Sequence, residues 1–214
     1  TKFRKASAVH PTALRRWAAS ILIMLSALAP ASLVAATPSS SSPVSVLVFG
    51  GSGQLGSLVA RAALADGHKV SVFARESSNM QRLQGLPVTV IRGDVRESAD
   101  VERALKSQSF DVVVDALGRS ESGVEFYEQA ARHITRWAAP TGVKHIIHHG
   151  SVGVAESRAA YPPKLFPERS PLFVSKEAAE KRVRESGVTY TIIRNAVLRP
   201  LPRGQADRAQ LLED

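Results

Sequence analysis

The sequence lacks several features that would point directly to a function. Its 214 residues include no cysteine, which excludes a disulfide framework but is compatible with any cellular compartment. No acidic residue precedes Asp66. Paired carboxylates, a nucleophile elbow and a phosphate-binding P-loop are also missing, so the enzyme classes recognised by those motifs lose support.

The positive charge is concentrated at the N-terminus. The formal net charge is +9, and it falls to +4 once five cationic residues near the start are set aside. These five are Lys2, Arg4, Lys5, Arg15 and Arg16. The remainder contains no basic tract, so we expect no nucleic-acid partner.

An uncharged apolar stretch, "WAASILIMLSALAPASLVAA" at residues 17–36, follows this basic head and ends in small residues. The order predicts an export signal over residues 1–36, cleaved near Ala36, and a periplasmic or extracellular protein. The stretch is also about long enough to span a bilayer, so an uncleaved membrane anchor through residues 17–36 is the second interpretation. An organelle transit peptide and a twin-arginine signal at Arg15 and Arg16 are further alternatives.

Residues 37–43, "TPSSSSP", predict a linker, and residues 44–214 predict one folded domain. Nearly continuous Val/Ile runs alternate there with longer helical segments. The predicted strands are 44–49, 69–74, 88–91, 111–117, 143–149 and 189–194, and the predicted helices are 53–66, 98–107, 123–139 and 175–186. The pattern predicts an α/β fold, a doubly wound parallel sheet of the Rossmann type with a short C-terminal region, preceded by a signal or anchor helix.

A glycine-rich loop, "GGSGQLG", lies directly between the first predicted strand and the first predicted helix. Glycines let the backbone turn tightly and approach a pyrophosphate, and the helix N-terminus adds free N–H groups and a partial positive charge. Strand, loop, helix and second strand fall within about 30 residues, which favours a dinucleotide-binding loop over a plain turn. The residues assigned to it are Gly50, Gly51, Ser52, Gly53, Gln54, Leu55 and Gly56.

The end of the second predicted strand indicates which dinucleotide is bound. Arg75 stands where a site for NAD would carry a carboxylate to accept from the ribose hydroxyls, and a guanidinium can pair with a 2′-phosphate instead. Ser77 and Ser78 can add hydrogen bonds, whereas Glu76 weakens the positive field. We therefore expect NADP as the cofactor, with NAD the less favoured choice.

Two further strand ends are expected at the same crevice, because the carboxyl ends of parallel strands meet at one edge of the sheet. After the third strand, Asp94 can accept from the adenine amino group and Val95 can pack on the ring. After the fourth strand, the small residues of "ALG" leave room for the cofactor ribose. These are Ala116, Leu117 and Gly118.

Together these segments resemble the atypical short-chain dehydrogenase/reductase superfamily, in particular its NAD(P)-binding, NmrA-like branch. The similarity covers residues 44–201. It is carried by "VLVFGGSGQLG", Arg75, "RGDV", "DALG", "GVKHIIHHGSVG" and "SKEAAEKRVRESGVTYTIIR". The resemblance implies a Rossmann domain with a small substrate region at the C-terminus, and it implies that this region is reduced or truncated here.

The usual reductases of this superfamily act through Ser, Tyr and Lys, with the last two in Tyr-x-x-x-Lys. By resemblance, Ser151 and Lys176 are the catalytic candidates, and Lys176 also holds the nicotinamide ribose. The tyrosine position is Leu172, so the usual proton donor is missing. Tyr161 is a candidate replacement from a loop, although a partly exposed loop tyrosine is the plainer interpretation. Tyr190, inside a strand, is expected in the core.

Three histidines near the fifth strand end, His145, His148 and His149, are candidates for a metal site. His145 and His149 share one strand face, but the third ligand is undefined, so ordinary strand-end histidines are the favoured interpretation. His148 or His149 remains a candidate proton relay.

Two functions follow from these residues. The first is an NAD(P)H-dependent oxidoreductase that transfers hydride to or from a small organic substrate of unknown identity. The second is a non-catalytic module that binds NADP and passes its state to a protein partner. Ser151 and Lys176 favour the first function, whereas Leu172 favours the second.

Overall fold

The computed structural model describes residues 42–118 and 125–196. They belong to the unit Ser42–Asp214. The leader predicted over residues 1–36, most of the predicted linker and the C-terminal residues 197–214 lie outside the described residues. In the described ranges, no helix combines the length and the apolar character needed to cross a bilayer.

Six parallel strands form one sheet with the order β3-β2-β1-β4-β5-β6. Each predicted strand is present, with ends within two residues of those expected. The strands are β1 (Ser45–Phe49), β2 (Lys69–Ala74), β3 (Thr89–Arg92), β4 (Val112–Asp115), β5 (His145–Ser151) and β6 (Thr189–Asn195). The order reverses between β1 and β4, and such a switch point opens a crevice at the carboxyl ends of the strands.

Four α-helices in the described part of the chain cover the sheet. They are α1 (Gln54–Ala65), α2 (Ser98–Lys106), α3 (Phe126–Ala138) and α4 (Phe166–Arg184). One apolar cluster joins Leu47, Val113 and Ile146 to α2, α3 and α4, and a second joins Val46 and Val48 to α1. The two clusters lie on opposite faces of the strands, because neighbouring residues of β1 belong to different clusters. The prediction of a sheet buried on both faces is confirmed.

The start of α4 differs from the prediction. The helix begins at Phe166, nine residues before the expected Ser175, and Pro171 lies inside it. The expected start of this helix at Ser175 is therefore wrong, although the added stretch contains two prolines. Pro167 lies in the first turn, where an N–H has no partner within the helix, and Pro171 removes one hydrogen bond. Leu172 and Phe173 then pack into the core, which offsets that loss.

Tyr190 also departs from expectation. It lies on β6, the outermost strand on its side of the sheet, and 40% of its surface is exposed. Its register partner on β5, Ile146, is fully buried. The prediction that Tyr190 belongs to the core is wrong, since a strand at the edge of the described sheet is covered less completely than its inner neighbour.

Candidate functional site

The glycine loop forms a tight connection between β1 and α1. Gly50 has a φ of +76°, a conformation that side chains disfavour, and the amide of Gly53 donates to its carbonyl at 2.9 Å. A Cβ added at Gly56 would lie 2.3 Å from the Gly50 oxygen, so only glycine fits there. Helix α1 begins at Gln54, directly after Gly53, and no side chain caps its first amides. These amides remain available to an anion, which is the arrangement that a pyrophosphate requires.

The end of β4 lies directly against this loop. A Cβ added at Gly50 would meet the carbonyl oxygen of Ala116 at 2.8 Å and the Cα of Leu117 at 3.1 Å. Gly118, the next residue, is exposed, and no atom of the described residues lies within 4 Å of where its Cβ would be. The structure therefore brings the predicted loop and the predicted "ALG" segment together at the switch point between β1 and β4. Ser52 and Leu55 are partly buried in this region, and Gly51 packs against Val72.

Arginines gather where β2 and β3 end. Arg75 is exposed, and its carbonyl accepts a hydrogen bond from Arg92 at 2.8 Å. The Arg92 guanidinium also lies 3.8 Å from the carboxylate of Glu76. Arg96 follows two residues after Asp94, and the positive charges of Arg96 and Arg75 both act on that carboxylate. Two of these arginines, Arg92 and Arg96, were not identified from the sequence.

Asp94 and Val95 follow β3 but have other partners. The Arg96 guanidinium is hydrogen-bonded to the Asp94 carboxylate, and this bond holds the pKa of Asp94 below its usual value despite partial burial. The Val95 side chain is buried in the core, and its carbonyl is 2.8 Å from Nδ1 of His133. An adenine ring at this position would meet an aspartate already bound to arginine, and little of the Val95 surface.

Lys176 lies in a buried setting on α4. Only 8% of the residue is exposed, and its Nζ is 4.4 Å from the centre of the Tyr127 ring on α3. Burial lowers the pKa of Lys176, although the charges of Asp115 and Glu180 oppose this shift. The Tyr127 hydroxyl donates to the Gly118 carbonyl at 3.0 Å. Tyr127 thereby links the lysine to the predicted ribose segment.

The other two members of the expected catalytic set have different surroundings. Ser151 ends β5 and is partly buried, and its hydroxyl donates to the adjacent Val152 carbonyl at 3.2 Å. Leu172, at the position of the missing tyrosine, packs against the core with α4. Tyr161 is partly buried, with its ring edge-on to Phe173 at a centroid distance of 4.8 Å. It therefore reaches α4 one turn from Lys176.

A buried acid–histidine pair lies beneath these residues. Asp115 of β4 and His148 of β5 are register partners, and His148 Nδ1 is 2.8 Å from the Asp115 carboxylate. Burial alone would raise the pKa of Asp115, but the hydrogen bond and nearby charge of His148 outweigh it, so the pKa is lowered. The other ring nitrogen of His148 is buried and has no hydrogen-bond partner among the described residues. Asp115 was not singled out from the sequence, where it reads as one more residue of an apolar strand.

The remaining histidines are placed apart from this pair. His148 lies on the opposite face of β5 from His145 and His149, because neighbouring strand residues alternate. His145 Nε2 is 2.9 Å from the Thr191 hydroxyl. Burial and the charge of Lys176 lower the pKa of His149. Among the residues that the structure describes, no three His, Asp or Glu side chains are grouped as metal ligands would be.

Two residues of the sequence motif shared with the resembled family prove to be ion-pair partners. Glu180 is fully buried, and the Arg194 guanidinium donates to its carboxylate through Nη2 at 2.8 Å and Nε at 3.0 Å. The bond to Glu180 raises the pKa of Arg194. The pair connects α4 to β6. A Cβ added at Gly150 would lie 2.6 Å from the same carboxylate, so this glycine makes room for it.

The strand order, the glycine loop and the crevice beside it define a Rossmann domain of the dinucleotide-binding class. Residues 50–212 match the sequence pattern of the family described as NAD(P)H-binding. The chain belongs to this family.

Curated relatives resemble parts of the chain. Sterol demethylase protein B from Methylococcus capsulatus is 31% identical over 115 residues, which are 51% of this chain and 35% of the relative. The photosystem II assembly factor Ycf39 from Synechocystis sp. is 26% identical over 155 residues, or 71% of this chain and 44% of the relative. The chain thus spans less than half the length of these two relatives.

Solved structures share the fold. ChuY from Escherichia coli O157:H7, described as an anaerobillin reductase, superposes with a TM-score of 0.61 at 22% identity, over 70% of this chain and 71% of ChuY. WbmG from Bordetella bronchiseptica, solved in complex with NAD, gives a TM-score of 0.60 at 21% identity, over 74% of this chain and 55% of WbmG. At such identities the similarity establishes the architecture alone.

Proposed function

We propose that the domain is an NADP(H)-dependent oxidoreductase that transfers hydride between the cofactor and a small carbonyl compound. The observation that carries this proposal is the glycine-rich segment Gly50–Gly56 at the switch point, with uncapped helix amides beside it. Ser151 lies at the carboxyl end of β5, and the buried Lys176 lies on α4 against the ring of Tyr127. When bound, the reduced nicotinamide supplies the hydride.

The residues present fit the parts of a dinucleotide. The glycine loop and the first amides of α1 would hold the pyrophosphate, and Ala116, Leu117 and Gly118 would border the ribose. Lys176 would hold the nicotinamide ribose, and Ser151 would donate to the substrate carbonyl after releasing Val152. Asp94 and Val95 would border the adenine.

NADP is proposed over NAD because cations dominate the ends of β2 and β3. Arg75 is exposed, and Arg92 and Arg96 lie nearby, with Arg92 bonded to the Arg75 backbone. Guanidinium groups pair with phosphate oxygens, which NADP carries on the adenosine ribose and NAD does not. Glu76 and Asp94 already bind Arg92 and Arg96, which leaves Arg75 as the main candidate for the 2′-phosphate.

The first experiment is a calorimetric titration of the full chain with NADPH and with NADH. We expect NADPH to bind more tightly than NADH. The Arg75→Glu substitution should lower the affinity for NADPH by at least tenfold, because an attractive contact to phosphate is replaced by repulsion. The affinity for NADH should stay within about twofold. Arg132→Glu, at an exposed position of α3, is the control for the same charge change. Equal affinities for the two dinucleotides would overturn the NADP assignment, and binding of neither would overturn the function.

Turnover is tested next with aldehydes, ketones and quinones, following NADPH oxidation. Lys176→Ala should abolish turnover, whereas Lys181→Ala, on the exposed side of the same helix, should not. Tight NADPH binding with no turnover of any of these compounds would overturn the proposal that the protein is an oxidoreductase.

A second candidate function, a non-catalytic NADP-responsive module, is favoured by one observation. Leu172 packs into the core at the position where the usual reductases carry their tyrosine. The name of Ycf39 describes an assembly factor rather than a catalyst. Binding of NADPH without turnover is the result that selects this function.

A further inference from the structure

We propose that Tyr127, which lies on a different helix from Lys176, is the proton donor that replaces the tyrosine missing at position 172. This inference rests on the proposed reductase function and names a further catalytic residue for it. It depends on the contact between α3 and α4, which the sequence does not place together.

The first support is the position of the phenol relative to the lysine. Lys176 Nζ lies 4.4 Å from the centre of the Tyr127 ring, which is within the range of a cation–π interaction. Tyr127 is 9% exposed and Lys176 is 8% exposed, so water screens their interaction poorly. A cation held against a phenol favours its ionised form, which is the role that a lysine has beside a catalytic tyrosine.

The second support is the direction of the hydroxyl. It donates to the carbonyl of Gly118, the exposed residue that follows β4 at the crevice. The same segment touches the glycine loop through Ala116. The proton of Tyr127 is therefore already directed toward the region where the ribose and nicotinamide are expected, and a rotation about the C–O bond redirects it.

The third support is the charge balance around the pair. Burial lowers the pKa of Lys176, and the charges of Asp115 and Glu180 offset part of this shift. Asp115 comes from β4 and is held by His148 of β5, and Glu180 comes from α4 itself. Leu172 adds no polar group to this set. These two carboxylates therefore act against the loss of positive charge beside the phenol.

The carbonyl carbon of the substrate would accept the hydride that NADPH supplies when bound, and the electron pair of its C=O bond would move onto oxygen. That oxygen takes the proton of the Tyr127 hydroxyl and becomes an alcohol. The phenolate that remains is stabilised by Lys176 and is reprotonated from solvent.

Substitutions at Tyr127 separate proton donation from positioning. Tyr127→Phe keeps the ring beside Lys176 and removes the hydroxyl, so turnover should fall by about 100-fold or more while NADPH affinity stays within about twofold. Tyr161→Phe, which removes the other phenol near α4, should leave turnover within about twofold. Unchanged turnover in Tyr127→Phe, or loss in Tyr161→Phe instead, overturns the proposal. If turnover is lost in Tyr127→Leu but kept in Tyr127→Phe, the ring serves to position Lys176. That result also overturns the proposal that the hydroxyl donates the proton.

A second measurement needs no turnover. The chain has three tyrosines, so labelling them with ¹³C at Cζ gives a small set of signals, and the one absent from Tyr127→Phe is that of Tyr127. Adding NADP⁺ should shift the Tyr127 signal and leave that of the exposed Tyr190 in place. Calorimetric binding of NADP⁺ without a shift of Tyr127 overturns the proposal alone, whereas no binding at all, or binding without turnover of any carbonyl, overturns the proposed function as well.

Discussion

Glu180 and Arg194 form a buried ion pair that fastens helix α4 to strand β6. The glutamate is fully buried, 12% of the arginine side chain is exposed, and two guanidinium nitrogens bond the carboxylate. Arg184 adds a third contact to Glu180 at 3.3 Å, and Glu156 adds a second carboxylate to Arg194 at 2.8 Å. Because α4 carries Lys176, the pair fixes the helix on which the candidate site depends.

Breaking this pair should destabilise the fold strongly. Arg194→Met leaves the buried Glu180 carboxylate with Arg184 as its remaining guanidinium contact, and loss of one partner of a buried pair typically costs roughly 3–5 kcal/mol. Urea unfolding of Arg182→Met is the control, since Arg182 pairs with Glu128 near the surface and about 0–1 kcal/mol is expected there. Equal losses in the two variants would contradict the structural role of Glu180.

The glycine loop predicts a contrast between two Gly→Ala substitutions. At Gly56 the new Cβ would lie 2.3 Å from the Gly50 oxygen and 2.7 Å from the Gly51 Cα, so the loop must open and NADPH binding should be lost. At Gly67, where φ is +84° and nothing lies within 4 Å, Ala should cost about 1–2 kcal/mol of stability through backbone strain alone. NADPH affinity and urea midpoints distinguish these effects. Normal NADPH binding by Gly56→Ala would show that the loop does not hold the cofactor.

Asp115 predicts an acid-sensitive contribution to stability. Burial opposes ionisation, but His148 lowers the pKa of Asp115 below its usual value. The unfolded chain therefore binds a proton at higher pH than the folded one, and stability present above about pH 4 is lost as the pH falls toward the folded pKa. The free energy of unfolding of Asp115→Asn should vary less with pH below about 5 than that of the wild type. Asp66→Asn, at the exposed end of α1, should retain the wild-type slope, and equal slopes for all three proteins would contradict the role of Asp115.

The buried position of Lys176 predicts a contribution to stability that changes at alkaline pH. Burial lowers its pKa, so the folded chain releases this proton at lower pH than the unfolded chain, whose lysine titrates at about 10.4. The unfolded state binds more protons between these two values, and wild-type stability should therefore gain with rising pH relative to Lys176→Met. Unfolding by urea from about pH 8 to 10.5 measures the difference, with the exposed Lys181→Met as the control. A parallel pH profile for Lys176→Met would show that the folded lysine is not desolvated.

The sequence was sufficient to predict the sheet and the nucleotide loop, because both depend on local patterns. Continuous Val/Ile runs marked all six strands, and "GGSGQLG" was placed between a strand and a helix by its neighbours alone. The resemblance to a known superfamily then supplied Lys176 and Ser151. In each case the information lies within about 30 residues of chain.

The surroundings of the site were harder to predict because they join distant segments. Tyr127 and Lys176 are 49 residues apart, and Asp115 and His148 are 33 residues apart. Counting the three tyrosines would have brought Tyr127 into consideration, but only the packing of α3 on α4 shows which phenol meets the lysine. The early start of α4 was missed for a different reason. Proline disfavours the interior of a helix, but the burial of Phe173 offsets that cost here.

The Asp115–His148 pair has a consequence for how related sequences can diverge. The two residues face each other in register within the sheet, and each is almost entirely enclosed. Replacing either residue alone would leave a buried polar group without its hydrogen-bond partner, so single replacements are disfavoured. Replacing both residues together by apolar ones removes both polar groups and is tolerated. The two positions should therefore covary, with the histidine absent wherever the aspartate has been replaced.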